Sequence, residues 1–277
     1  MVSPDFEYFH YKDHTSTEVN FHNHEFYEIY IPLSGKVTYL IEGNSYKPHA
    51  WDIILINNRE LHRPVVESGE PYERIVIWVR PGFAASHSAG STNLRMCFES
   101  PSHSGARLLR PGSVTLEEIK SAVNRFEKAC AGGLYGGDIL KSTCLTELLV
   151  YLNAAFLEAA GSGNEEDIIF NERISSIIQY INRNITEELS LDILAEKFYT
   201  SKYHLLREFK RYSGFTLHKF ILQKRLLFAR ALLREGMSVS DACTKSGFRD
   251  YSNFIRSFRQ AFGVPPRRYG FGTVQDG

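Results

Sequence analysis

The sequence predicts an α+β chain of two domains: an antiparallel β-barrel with flanking helices, then an all-α domain with two helix-turn-helix motifs. Three observations carry that prediction: strand-like patterning confined to residues 20–80, a segment near the C-terminus that repeats itself, and an uneven spread of charge. A length of 277 residues suffices for two domains of ordinary size, each with its own core. Residues 1–171 hold 14 Lys and Arg against 22 Asp and Glu, and residues 172–277 hold 18 against 10. The net charge of zero is therefore an acidic half balanced by a basic one. A basic half suits a polyanion, because each phosphate it neutralises releases counterions.

From Asn20 to Arg80, short runs of β-branched and aromatic residues alternate with turn signals. Candidate strands are 26–31, 36–42, 52–56, 61–66 and 72–79, with hairpin turns at Ser34-Gly35 and Glu42-Gly43-Asn44. Short strands joined by tight turns suit an antiparallel barrel or sandwich. Residues 81–112, rich in Ser, Gly, His and Pro, read as irregular. Thr115-x-x-Glu118 has the form of a capping box, with Leu116, Ile119, Val123, Phe126 and Cys130 following at helical spacing. Gly132-Gly133 and Gly136-Gly137 break that helix, and a second runs over about residues 138–158. The two helices are candidates either for a dimer interface or for a cover over the barrel. Gly161-Ser-Gly-Asn164 and the acids after it mark a linker over 161–171, which sets the domains at 1–160 and 172–277.

Asn171 is a candidate N-cap for a helix with Ile174, Ile177, Ile178, Ile181 and Ile185 on one stripe. Beyond it the chain says nearly the same thing twice. Ser190 to Tyr199 leads into Ser201 to Lys210 and stops at Gly214; Ser238 to Gly247 leads into Tyr251 to Arg259 and stops at Gly263. Each copy reads as a short helix, a tight turn and a longer basic helix, with a long helix over 216–234 between the copies. In the longer helices Leu205, Phe209, Phe254 and Phe258 take the core positions, since each pair sits four residues apart. Tyr203, Leu206 and Arg207 then face outward in the first copy, and Tyr251, Ser252, Ile255 and Arg256 in the second. An arginine at such a position can give guanine two hydrogen bonds, and Leu206 and Ile255 can pack on thymine methyls. Lys202, Lys210, Arg211, Arg249, Arg259, Arg267 and Arg268 suit phosphate contacts, which position without reading sequence. One such helix would more simply be a salt-bridged surface helix. Two copies in a basic half favour double-stranded DNA as the partner.

Residues 172–269 resemble the DNA-binding domain of the AraC/XylS family of bacterial transcription regulators. The resemblance rests on Gly247-Phe-Arg-Asp-Tyr-Ser-Asn-Phe-Ile-Arg-Ser-Phe-Arg-Gln-Ala-Phe-Gly-Val-Pro-Pro-Arg-Arg-Tyr269 and, upstream, on Arg225-Leu226, Ala229 and Leu232-Leu233. It implies that each recognition helix enters a major groove, on successive turns of the duplex, through the outward positions named above. It also implies a homodimer and, for an activator, contact with RNA polymerase. The sequence departs from the pattern at Tyr199, where many members, and the second copy at Gly247, carry glycine. A turn that needs no positive φ would accommodate the tyrosine.

In the N-terminal half, His22-Asn-His24-x-x-x-Glu28, then Gly35 and a later His62, resembles the cupin pattern. Three roles are open to His22, His24, Glu28 and His62: lining an effector pocket together with Tyr39 and Trp78, bonding at strand ends, or holding a divalent metal. The resemblance implies a small-molecule effector, such as a sugar, and requires no cofactor. Tyr27, Tyr30 and Trp51 add aromatic surface whose simpler role is core packing.

Cys97, Cys130, Cys144 and Cys243 are scattered and form no CxxC pair, so neither a disulfide framework nor a zinc finger is expected. The N-terminus has no signal-like segment, and the apolar stretch 148–157 is too short for a bilayer. The reading is a cytoplasmic, non-enzymatic, ligand-responsive transcription regulator without a membrane partner. The alternative is a metal-dependent cupin enzyme, an oxygenase or sugar isomerase, fused to a DNA-binding domain.

Overall fold

The strand-forming residues of the N-terminal half pair into two sheets in the computed structural model. The model describes residues 5–13, 19–67, 71–100, 107–133, 135–159, 168–169 and 171–270. The chain divides into two compact units, Met1–Ile41 with Ser45–Ile169, and Glu42–Asn44 with Phe170–Gly277.

The strands are β1 (Phe6–Asp13), β2 (Tyr27–Ser34), β3 (Val37–Ile41), β4 (Asn44–Tyr46), β5 (Ile53–Ile56), β6 (His62–Val66), β7 (Tyr72–Val79), β8 (Leu108–Leu109) and β9 (Ile168–Ile169). One sheet has the order β1-β7-β2-β5-β8 and the other β6-β3-β4-β9. The expected closed barrel is thus not formed as one continuous ladder among the described residues. Side chains join the sheets instead. Strand β2 alternates between two buried faces. Tyr30 packs with Tyr39, Tyr46 and Ile41 of the facing sheet. Tyr27, Ile29 and Ile31 point the other way, into a core shared with helices. Strand β1 lies outside the sequence-predicted strand region, yet pairs with β7 along its whole length. Strand β9 falls within the expected linker 161–171 and pairs with β4. Gly161 to Asn164 lie outside the described residues.

Two short helices, α1 (Pro81–Ser86) and α2 (Met96–Glu99), form where the sequence reads as irregular. Phe83 and Phe98 anchor them in the core. Helix α3 (Ser113–Cys130) starts before the expected capping box, with Gly112 at its N-cap and no side-chain cap. The Thr115 hydroxyl donates instead to Glu158 of α4 (Gly137–Ala159), at 3.1 Å. Leu145, Leu148, Leu149, Leu152 and Phe156 of α4 are all buried with Ile119, Val123 and Phe126 of α3. By length and composition alone α4 could cross a membrane; here its apolar face packs on the sheet and on α3.

His10 fastens this layer. Its Nδ1 lies 2.8 Å from Glu127 of α3 and its Nε2 lies 3.0 Å from Glu73 of β7. The bond to Glu127 and that to Glu73 raise its pKa above the ordinary 6.5, against burial, which lowers it. Stability from a raised histidine is complete below the unfolded pKa and is lost as pH rises through the folded one. The melting temperature of this unit should therefore fall as pH rises above the ordinary histidine pKa of 6.5, and His10→Gln should flatten that slope. Both tryptophans, Trp51 and Trp78, belong to this unit, so tryptophan fluorescence reports it alone.

The second unit contains α5 (Glu172–Arg183), α6 (Leu191–Lys197), α7 (Lys202–Ser213), α8 (Leu217–Arg234), α9 (Val239–Lys245), α10 (Tyr251–Phe262) and α11 (Pro266–Gly270). The side chain of Asn171 caps α5 through Ile174 N, as the sequence indicates, and Ile185 falls just beyond the helix. The repeat extends to the caps. Ser190 and Ser238 cap α6 and α9, and Ser201 and Asp250 cap α7 and α10. Gly214 and Gly263 end α7 and α10 at φ +76° and +74°. Phe209 packs edge-on to Phe220 of α8, with centroids 5.3 Å apart. Phe254 and Phe258 share a core with Leu226, Ala229 and Leu233 of α8.

The two turns differ in one respect. Tyr199 adopts φ +49°, so the turn is left-handed despite its tyrosine, against the expectation of a turn without positive φ. Its hydrogen bonds, Tyr199 N to Glu196 O and Thr200 N to Ala195 O, match Gly247 N to Thr244 O and Phe248 N to Cys243 O. Tyr199 is 95% exposed, so its side chain meets no obstacle. At Gly247, φ +83°, a Cβ would stand 2.7 Å from Ile185 O. Glycine is required at 247 by close approach and only preferred at 199 by conformation. Gly247→Ala should destabilise the unit by more than the roughly 1–2 kcal/mol of a left-handed residue. Tyr199→Gly should change it by less than about 1 kcal/mol, relief of strain being offset by glycine's freedom when unfolded. Urea titrations followed by helical circular dichroism distinguish the two.

Candidate DNA interface and sensor site

On α7, Leu205 and Phe209 take the inward stripe, which leaves Lys202, Tyr203, Leu206, Arg207 and Lys210 exposed. Tyr203 is 74% and Leu206 41% exposed, so both are open to a partner. On α10, Phe254 and Phe258 are inward. Tyr251, Ser252, Ile255, Arg256 and Arg259 line one shallow groove. Arg207 lies 5.9 Å from the Tyr203 ring centroid, and Arg256 Nη2 donates to Asn253 Oδ1 at 3.2 Å. Among the described residues no carboxylate pairs with either arginine. Two of the phosphate-type cations are already paired: Lys202 with Asp192, and Arg249 with Glu188 at 2.8 Å. Such exposed pairs contribute little and can exchange for phosphate.

In the first unit the six sequence-predicted pocket residues form one cluster. Glu28, 4% exposed, is its centre. The β2–β7 register places Trp78 opposite Glu28, and Trp78 Nε1 donates to Oε2 at 3.0 Å. From the facing sheet, the Tyr39 hydroxyl donates to Oε1 at 2.6 Å. His24 Nε2 lies 3.0 Å from Oε2. Burial raises the carboxyl pKa, but the bonds from His24 and Tyr39 hold it far below the usual carboxylate range.

The three histidines share an orientation device. Nδ1 of His22 lies 2.9 Å from Asn20 O, that of His24 2.8 Å from Phe26 O, and that of His62 3.0 Å from Glu60 O. A carbonyl only accepts, so each Nδ1 carries the hydrogen; in a neutral ring Nε2 of His22 and of His62 keeps its lone pair, whereas Nε2 of His24 donates to the Glu28 carboxylate. The strand-like bridge between residues 22 and 62 brings their rings to 4.4 Å between centroids. One ring nitrogen from each of His22, His24 and His62 falls within 4.8 Å of the others. His62 Nε2 is buried without a hydrogen-bond partner, and burial pushes the His62 pKa down to about 3. An orphaned neutral nitrogen facing two further imidazoles can bind a donor hydrogen or a first-row divalent metal.

Sequence reasoning did not find the backbone carbonyls that orient the rings. Nor did it find the buried Tyr30–Tyr72 hydroxyl pair, 2.6 Å apart, beside Tyr39. Tyrosines on alternate positions of neighbouring strands were the available signal.

A model described as an AraC-like ligand binding domain matches residues 3–129, and one described as a helix-turn-helix domain matches residues 194–270. The chain belongs to the AraC family. Among curated relatives of this AraC-family regulator is the transcriptional activator RhaS of Salmonella paratyphi B, 24% identical over 257 residues, covering 89% of this chain and 85% of RhaS. RhaS of Escherichia fergusonii is 26% identical over 250 residues, with the same coverage. A solved structure of Vibrio cholerae ToxT with bound unsaturated fatty acid matches 97% of this chain and 96% of ToxT, at 16% identity and a TM-score of 0.39. The sensor cluster and the two exposed helix faces of the AraC-family chain fall in the two matched segments, one in each.

Proposed function

We propose that this chain is an AraC-type transcription activator whose occupancy of DNA is set by a small molecule bound at the Glu28–His62 cluster. Its DNA is read by α7 and α10 through Tyr203, Leu206 and Arg207 and through Tyr251, Ser252, Ile255 and Arg256, while Lys202, Lys210 and Arg259 hold phosphates. The observation that carries the reading is the outward presentation of Arg207 and Arg256, unpaired with carboxylates, at equivalent places in two copies of one motif. The effector chemistry that suits the cluster is polyhydroxylated, a sugar for example. His22, His24 and His62 offer hydrogen-bond positions, with Tyr39 and the Trp78 face behind them. Binding that favours one arrangement of the sensor over another would shift DNA occupancy by that difference in affinity. Where a divalent ion is taken up, His22, His24 and His62 would hold it, with Glu28 supplying compensating negative charge. The ion would lend Lewis acidity toward an effector oxygen.

Leu140, Val150 and Leu157 of α4 are exposed at 41%, 45% and 57%, with Val150 and Leu157 one heptad apart on one side of the helix. These exposed apolar residues support homodimerisation through α4. Recruitment of RNA polymerase, a cytoplasmic location and the absence of catalysis complete the reading. Selection of duplexes from a randomised pool by the purified chain, followed by salt titration of the enriched sequence, tests it. Affinity should fall steeply with salt, with a slope of roughly −0.9 per phosphate contacted. Enrichment of no sequence, or indifference to salt, would refute it. Melting of the intact chain against sugars and against zinc, manganese and iron, read by tryptophan fluorescence, tests the sensor. Turnover of a sugar in the metal-loaded protein would favour the enzyme reading, for which the orphaned His62 nitrogen is the supporting observation.

A further inference from the structure

Helix α8 joins the two helix-turn-helix copies, but a polar seam at its middle joins them a second time. Arg225 Nε donates to Ile185 O at 3.1 Å and its Nη2 donates to Glu187 O at 2.6 Å. Both carbonyls belong to the segment that leads from α5 into α6, on the side of the first copy. Gly247, in the turn of the second copy, lies against the same group: an added Cβ would stand 2.7 Å from Ile185 O and 2.9 Å from Arg225 Nε. At the rim, Arg249 beyond that turn pairs with Glu188 at 2.8 Å. Desolvation within the seam, then the nearby charge of Arg249, lower the Arg225 pKa. The corresponding turn of the first copy meets no such partner, since Tyr199 is 95% exposed. The seam is therefore a particular contact between the copies and not a by-product of turn geometry.

We propose that Arg225 is a positioning residue: its fork fixes the separation and angle of α7 and α10, and so the spacing between the two DNA boxes that the chain accepts. A planar guanidinium ties two carbonyls in one fixed direction, which a lysine ammonium on a flexible stem cannot do. Packing along α8 alone leaves each copy able to rock about the helix. The fork and the close seat of Gly247 remove that freedom. The proposal rests on the reading that both α7 and α10 touch DNA.

The test uses the full chain, the two-box duplex it enriches from a randomised pool, and the same duplex with one base pair inserted or removed between the boxes. The wild-type chain should bind the altered spacings roughly tenfold more weakly. Arg225→Met should narrow that ratio to within about threefold, and Arg225→Lys should fall between the two, while binding to a duplex carrying either box alone stays as in the wild type. A merely structural arginine would lower binding to every duplex alike and leave the ratio unchanged, and that result overturns the proposal. Should Arg225→Met melt below the assay temperature, Arg225→Lys carries the comparison, with an unchanged ratio again overturning it. A wild-type chain that enriches no two-box sequence refutes the DNA-contact reading and the latch together. An intact ratio in the variants refutes the latch alone.

Discussion

Replacing Arg207 and Arg256 together by alanine should remove nearly all sequence preference from DNA binding while leaving a salt-sensitive general affinity. Each guanidinium stands exposed on the outward face of its helix, and each can give one guanine a pair of parallel hydrogen bonds. The loss of one such pair costs roughly 1–3 kcal/mol of discrimination. The two arginines belong to different helices and contact different side chains, Tyr203 and Asn253, so the losses should add to roughly 2–6 kcal/mol. Lys210 and Arg259 remain to hold phosphates, and their contribution does not depend on sequence. Competition of the enriched duplex against random duplex, at fixed salt, separates these effects. A double variant that keeps its preference would show that other side chains read the bases.

Glu28→Ala should destabilise the sensor unit by about 3–5 kcal/mol, the usual cost of removing one partner from a buried charged network. Three donors or positive edges converge on this carboxylate: the Tyr39 hydroxyl, Trp78 Nε1 and His24. Alanine leaves the buried Tyr39 hydroxyl and the half-buried Trp78 and His24 groups without this acceptor. Glu28→Gln should lose less, because an amide oxygen keeps one acceptor while its NH2 confronts a donor. Tryptophan fluorescence during urea unfolding reads this unit. Equal stability of Glu28→Ala and the wild type would mean that the cluster is held together by its rings alone.

The C-terminal unit was legible almost residue by residue, because a repeat supplies its own control. Caps, core phenylalanines and outward arginines recur at matched positions, so each copy tests the reading of the other. The His22–Glu28–His62 grouping was legible as a motif, and two pairings carry it into space: the β2–β7 register sets Glu28 opposite Trp78, and the bridge between residues 22 and 62 joins the histidines. Strand β1 was not, since its partner β7 lies far away in sequence and its exposed edge carries His10 and Lys12 where a buried strand would be apolar. The division into two sheets was hidden because pairing between strands depends on contacts that alternation within one strand does not encode. Arg225 could be placed on the long helix but not in the seam. The groups it holds are main-chain carbonyls, which every residue has and no sequence pattern marks.

The exposed, left-handed Tyr199 offers a handle. All four native thiols have pKa values raised by burial, which slows their alkylation. In Tyr199→Cys the new sulfur would stand in water on a backbone that already accommodates a side chain, so a maleimide dye should attach there first. Placed beside the first reading helix and away from the Gly247 contact, that dye would report the arrival of a duplex in real time without disturbing the joint between the two copies.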